Sequence, residues 1–311
     1  MTGEVRDPAT VAVIGVPTSA GAFAPGQEDA PRALREAGLL DVLRSGGMAV
    51  EDRGDLPRWR WRPDRARPRA QNLGRVVEIV RETAAAVAAA AGSGAATLVL
   101  GGDCTVGIGT VAGHAAARGA DSLGVVYLDA HADCNIPSSV PEGALDWMGM
   151  AHMLGEDGAE PALVAAGPRT PLLGAGQVVL CGWDPVQATA FEREVIERRA
   201  LRVVTAGEVA RDPAAAALRA RGLLEPGASR LLVHFDVDVI DFTDVPLSEN
   251  PGRNEGLAYD GVMRALEVLV ASPCFAGLTI TELNPAHVEE GSQALERFAA
   301  AVAGALAGTG A

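Results

Sequence analysis

The stretch LGVVYLDAHADCN, residues 123–135, joins two unlike halves. Residues 123–129 are apolar up to the closing aspartate and show no polar alternation, the mark of a strand buried on both faces. The second half carries three ligand-type side chains at alternate positions, Asp129, His131 and Asp133. Similar apolar runs recur at 11–16, 96–102, 177–182, 201–206, 230–238 and 275–283. Helical stretches lie between them at 30–46, 73–91, 186–199, 214–224, 259–271 and 290–307, while LVLGGDCTV (98–106) reads as strand, glycine turn and helix start. Buried strands alternating with helices predict a parallel sheet with right-handed crossovers. No repeat or long linker divides the chain, so residues 1–311 are expected to form one α/β domain. Ligands of such a sheet gather beyond the carboxyl ends of the strands. Asp103, Cys104, Asp129 to Asp133, Asp236, Asp238 and Glu282 all fall there.

Hydrophobic residues make up 48% of the 311, enough for a sizeable core, and the net charge of −14 argues against nucleic acid as a partner. One basic stretch, RWRWRPDRARPR (58–69), runs against that balance. Its Trp–Arg interleaving is compatible with a stacking surface, but Pro63 and Pro68 break helix and strand and favour a surface loop. The four cysteines, Cys104, Cys134, Cys181 and Cys274, form no CxxC pair. The amino-terminal residues lack the basic and apolar regions of a secretory signal, and no apolar run reaches the ~18 residues of a membrane span. A reducing, cytoplasmic setting without membrane contact is the expectation.

Residues two apart on an extended chain point the same way, so Asp129, His131 and Asp133 are predicted to face one point while Ala130 and Ala132 turn away. HFDVDVID (234–241) repeats the device with Asp236 and Asp238. Four carboxylates and an imidazole in one cleft repel strongly unless cations neutralise them. Oxygen-rich ligation with some imidazole suits two divalent ions, manganese above all. Two such ions ~3.5–4 Å apart can share a water and bring its pKa towards neutrality, giving a hydroxide ready for attack. The alternative is that these aspartates cap helices and brace loops. Either pair alone leaves that open, whereas both motifs in one chain favour the metal.

With these motifs the chain resembles the ureohydrolase (arginase–agmatinase–formimidoylglutamase) family over most of its length. The matching pieces are GVPTSAGAFAPGQEDAPRALREAGL (15–39), GGDCT (101–105), DAHADCN (129–135), HFDVDVID (234–241) and TELNP (281–285), in matching order and spacing. The resemblance implies a three-layer α/β/α sandwich with a mainly parallel central sheet and a binuclear manganese centre. It also implies hydrolysis of a guanidino or amidino C–N bond by a trimeric or hexameric homo-oligomer. Asp129, His131, Asp133, Asp236 and Asp238 would be ligands, and Glu282 would orient the substrate guanidinium, a pairing that suits a carboxylate. Asp133 and Glu282 are thus the candidate catalytic carboxylates. A surface glutamate is the plainer alternative for Glu282. Asp103 and Asp241 stand either beside the ligands or as turn residues. Asn135 matches a substrate-contacting asparagine, and Asp184 in CGWDP (181–185) lies near where some relatives recognise the amino acid.

Three departures stand out. The family's GGDH histidine is Cys104, whose thiolate is soft for manganese and would move the summed charge of the loaded centre from about −1 to about −2. An altered two-metal site, a single metal, or a neutral unligated thiol are all open. A nucleophilic cysteine is a fourth state, against which stands the lack of a nearby histidine pattern. Second, PEGALDWMGMAHMLG (141–155) replaces a Gly–Asn–x–His–Gly run and puts Asp146 where a proton-shuttling histidine would stand, leaving Asp146 or His152 to do that work. The plainer alternative for His152 is a helix residue with an ordinary hydrogen bond. Third, in DFTDVPLSENPGRNEGL (241–257) the acidic Asp244 and Glu249 and Arg253 would remodel the substrate mouth, with Arg253 either meeting a substrate carboxylate or solvated in a loop. The resulting expectation is a metal-dependent hydrolase of a small guanidino or amidino substrate, such as an N-hydroxylated arginine whose leaving group needs less protonation. A catalytically degenerate binding or partner protein is the alternative.

Overall fold

A computed structural model describes residues 10–308. Eight strands form one sheet: β1 (Thr10–Gly15), β2 (Ala49–Asp55), β3 (Ala96–Leu100), β4 (Leu123–Leu128), β5 (Val178–Trp183), β6 (Arg202–Thr205), β7 (Arg230–Asp236) and β8 (Phe275–Thr281). Their order is β2-β1-β3-β8-β7-β4-β5-β6, and every pairing is parallel. The helices are α1 (Ala30–Glu36), α2 (Leu39–Ser45), α3 (Leu73–Gly92), α4 (Val106–Arg118), α5 (Gly149–Leu154), α6 (Pro161–Val164), α7 (Ala190–Arg199), α8 (Ala206–Arg211), α9 (Pro213–Leu224), α10 (Tyr259–Val270) and α11 (Ala294–Ala307).

Successive strand residues point to opposite faces, and the core divides accordingly. Val126 and Leu128 of β4 join α1, α2, α9, α10 and α11 on one face. Val125 and Tyr127 join α3, α4 and α5 on the other. This is the three-layer α/β/α sandwich, with a sheet that is wholly parallel. β2 is absent from the apolar pattern because it is an edge strand whose Glu51, Asp52 and Arg53 are exposed. Charge on an edge blocks pairing with another chain.

Several expected boundaries shift for identifiable reasons. The single helix expected over 30–46 is two, because Gly38 takes a left-handed φ of 84° between α1 and α2. The strands expected to reach Asp129 and Asp238 end at Leu128 and Asp236, where the chain bends. The basic stretch 58–69 is a loop with most of its residues exposed. No described helix is long and apolar enough to cross a membrane.

Candidate functional site

Four central strands, β3, β8, β7 and β4, deliver the site from their carboxyl ends. After β3 the chain turns at Gly101–Gly102, where a Cβ on Gly102 would stand 1.6 Å from the Thr18 carbonyl oxygen. Only glycine lets the turn pass so close. The Gly102 carbonyl accepts from the Glu282 N–H at 2.8 Å, and the Cys104 N–H donates to Glu282 Oε1 at 2.7 Å. Glu282 sits at φ 59°, a left-handed value that aims its carboxylate back across the β3 turn. Gln27 Nε2 donates to its Oε2 at 3.0 Å. The Cys104 thiol donates to Asp236 Oδ2 at 2.9 Å and lies 3.1 Å from Thr281 Oγ1 and 3.3 Å from His234 Nε2.

The DAHAD residues converge, but not by strand alternation. Beyond Leu128 the chain folds on itself: the His131 N–H donates to Asp129 Oδ1 at 2.6 Å, and Asp133 takes φ 50°. Likewise Asp238 lies in a 3-10 turn, Val237–Val239, and its N–H donates to Asp236 Oδ1 at 2.7 Å. His131 Nδ1 then stands 3.1 Å from Asp238 Oδ2 and 3.4 Å from Asp129 Oδ1. Ligating atoms gather in three sets, each within 4.8 Å: Asp129–His131–Asp238, Cys104–Asp129–His234 and Cys104–Asp236–Glu282. Asp129 Oδ2 and Asp238 Oδ1 are buried without a hydrogen-bond partner. Buried carboxylate oxygens left unpaired are costly, and cations at the shared Asp129 are the partners these donor sets fit. Asp133 lines the same pocket, its Oδ2 accepting from the Tyr127 hydroxyl at 2.5 Å.

Electrostatics point the same way. Burial first, then Asp238, pushes the Asp129 carboxyl up to about 7. Burial followed by neighbouring carboxylates raises Asp133, Asp236 and Glu282 well above the usual range. Burial would also raise Asp238, but His131 outweighs it and holds Asp238 low. Burial opposes charge on His131, yet Asp238 and Asp129 hold its imidazole well above its ordinary value. A proton therefore stands at the place where a cation would neutralise the same carboxylates, and metal binding would expel it. Burial and then Asp236 raise the Cys104 thiol, keeping it neutral in the ion-free centre.

The pocket encloses about 220 Å³. Of the residues singled out by sequence, Cys104, His131, Asp133, Asn135, Asp146, Asp236, Asp238 and Glu282 line it. Asp129 is fully buried beneath. Asn135 Oδ1 accepts from Thr189 Oγ1 at 2.9 Å. Three expected residues lie elsewhere. His152 is buried in α5 with Nδ1 2.6 Å from the Met148 carbonyl oxygen, so the helix turns it away from the pocket. Asp184 caps its own loop, accepting from the Val186 N–H at 2.9 Å. Arg253 is exposed with its guanidinium 5.2 Å from the Phe242 ring. Asp103 and Asp241 are turn braces, accepting from Gly21 and Thr105 N–H groups and from Thr243 and Gly256 N–H groups respectively.

Spacing alone did not single out His234, Gln27, Tyr127, Thr281 or Glu192. The first was within reach of the same rule: His234 stands two before Asp236, on the same face of β7. It also overturns the expectation that Cys104 has no histidine nearby. Gln27 comes from a loop that no periodicity addresses, while Glu249, expected at the substrate mouth, lines the pocket.

A family model described as Arginase family matches residues 9–308. Among similar proteins, an arginase of Bacillus caldovelox is 30% identical over 301 residues, covering 96% of this chain and 98% of its own. Human arginase-1 is 31% identical over 285 residues, covering 89% and 85%. Among solved structures, Bacillus caldovelox arginase superposes with a TM-score of 0.85 at 29% identity, covering 96% of this chain and 98% of that one. The formimidoylglutamase of Bacillus subtilis shares the fold, with a TM-score of 0.74 at 18% identity over 98% of this chain and 88% of its own.

Proposed function

This chain belongs to the arginase family, whose members hydrolyse C–N bonds of linear amidines, and from that premise we propose a single-domain hydrolase of a modified guanidine, for example an N-hydroxylated arginine. One observation carries the reading: buried carboxylates from the ends of three strands, β4, β7 and β8, converge on a pocket that no arginine or lysine among the described residues lines. A guanidinium is the kind of group such a pocket takes, and the two orphaned carboxylate oxygens match divalent cations.

Divalent ions, two by family and manganese for an oxygen-and-imidazole set, would supply a readily deprotonated water and neutralise the carboxylates. The chain's own residues do the rest. Asp129, His131, Asp236 and Asp238 hold the centre. Glu282, fixed by the Cys104 N–H and Gln27, receives the guanidinium. Asp133, held by the Tyr127 hydroxyl, orients the attacking water. Asp146, its carboxyl raised by burial and then by Glu282 and Asp103, gives its proton to the departing amine. His152 does not reach, so the chain lacks an imidazole for that proton. That deficit favours substrates whose leaving group needs less help.

The same reading includes a homo-oligomer, trimer or hexamer, and a cytoplasmic location in keeping with four free cysteines. Release of urea, hydroxyurea, hydroxylamine, ammonia and formamide from arginine, N-hydroxyarginine and formimidoyl compounds by the metal-reconstituted protein tests the activity, hydroxylamine marking departure of the less basic nitrogen. The expected result is a kcat/KM for a modified guanidine above that for arginine. Equal turnover would remove the substrate assignment, and a metal-loaded protein inert on every compound would favour the binding-protein alternative. Sedimentation reads the oligomer.

A further inference from the structure

The thiol at 104 faces an imidazole from another strand. His234 Nε2 lies 3.3 Å from Cys104 Sγ and 3.2 Å from Thr281 Oγ1. One ligating atom from each of Cys104, Asp129 and His234 falls within 4.8 Å of the others, and all three residues are buried. Asp129 Oδ2 is without a partner. The imidazole is held in a fixed pose, stacked on Tyr127 with centroids 4.1 Å apart and planes 1° from parallel. Its other edge abuts Gly107, where a Cβ would stand 2.7 Å from Nδ1.

We propose that His234 is a metal ligand, and that Cys104, Asp129 and His234 form a sulfur–nitrogen–oxygen site selecting an ion of the Zn2+ or Co2+ class over Mn2+. It stands beside the oxygen-and-imidazole site of Asp129, His131 and Asp238, and it rests on the metal centre of the proposed hydrolase. Zinc bonds of ~2.3 Å to sulfur and ~2.0–2.1 Å to nitrogen put two tetrahedral ligands about 3.5 Å apart, close to the sulfur–nitrogen separation here. Thiolate with imidazole ranks Mn2+ below Co2+ and Zn2+. A hydrogen-bonded Cys104–Thr281–His234 cluster that merely braces the strands explains the three short distances, but not why Asp129, a residue of the same set, keeps a buried carboxylate oxygen without a partner.

Metal-free full-length protein titrated with Co2+ should develop a sulfur-to-cobalt charge-transfer band that Cys104→Ser abolishes. His234→Gln should weaken Co2+ binding by about tenfold or more. Because either variant can unfold, zinc-edge X-ray absorption is also measured on His131→Ala protein carrying one equivalent of Zn2+. With the other site imidazole gone, one sulfur and one imidazole in the shell are expected. Sulfur without imidazole, or oxygen alone, would overturn the role of His234 and leave the hydrolase proposal standing. A protein that binds neither Co2+ nor Zn2+, and no Mn2+ when that ion is titrated in the same way, would end both.

Discussion

At the scale of single residues, the pocket divides its acids by the protons they hold. Asp146 is buried, accepts from the Trp147 N–H at 2.9 Å, and keeps its proton to higher pH because burial, Glu282 and Asp103 all disfavour its charge. A donor of this kind works below its pKa and fails as pH rises through it. Asp146→Asn is therefore expected to lower kcat by about 100-fold, to change KM little, and to erase the alkaline limb of the kcat profile. A variant that keeps that limb would assign the proton elsewhere. His114 shows the opposite sign, away from the site. Burial and then Arg230 hold its imidazole down to about 4, while Thr97 Oγ1 lies 2.9 Å from Nε2. The unfolded chain, with an ordinary histidine value near 6.5, takes up this proton first as pH falls. Folding stability is thus intact above about 6.5 and is lost towards about 4, by about 2 kcal/mol at pH 5. Urea unfolding of His114→Gln at pH 7 and pH 5 should show a smaller pH dependence by about that amount. An unchanged dependence would mean that His114 is not the titrating group.

At the scale of elements, α4 shows where propensity and packing disagree. Its sequence, VGIGTVAGHAAAR, carries three glycines, which would weaken an isolated helix by about 1 kcal/mol each. Two of them, Gly109 and Gly113, are needed against α3: a Cβ on Gly109 would stand 2.7 Å from Thr83 Cβ and 2.8 Å from the Val80 carbonyl oxygen. A backbone oxygen in a packed helix cannot swing aside, so overpacking of ~1–3 kcal/mol exceeds the propensity gain. Gly109→Ala is expected to lower the unfolding free energy measured in urea, whereas Gly222→Ala in α9, with nothing within 4 Å of the new Cβ, should raise it by up to ~1 kcal/mol. Two shifts of the same sign would refute the packing account. The same conflict explains what the sequence showed of the elements. Strands buried on both faces were legible as apolar runs because burial leaves no other pattern. β2 was not, since an exposed edge of Glu51, Asp52 and Arg53 has the composition of a loop. The left-handed turns at Gly38, Asp133 and Glu282 were also beyond period-two reasoning, and the last two aim site carboxylates.

At the scale of the whole molecule, the ligand types were readable while their arrangement was not. Asp129, Asp133, Asp236 and Asp238 reach one place because parallel strands end on one side of the sheet, which alternation with helices predicts. His152 and Arg253 were expected from local neighbourhood and Asp184 from the family resemblance, and helix rotation or loop capping turns them elsewhere. Net charge was also legible only as a total. The structure concentrates it: Asp133, Asp146, Glu192, Asp236, Asp238, Glu249 and Glu282 line the pocket, and no arginine or lysine among the described residues does. Two divalent ions would contribute +4 against a chain at −14, leaving about −10 and five lining acids outside the proposed metal ligands. A low-dielectric cleft of one sign focuses its field on an incoming guanidinium. That field reaches ~30 Å at 0.01 M salt and ~3 Å at 1 M. For a cationic guanidine, kcat/KM should therefore fall by about tenfold or more across that range with kcat nearly constant, while a neutral amidino analogue should not respond. Equal salt dependence for the two would show that the loss arises from ions displaced at the metal centre and not from weakened attraction. A flat profile for the cation would mean that the pocket acids act only on contact.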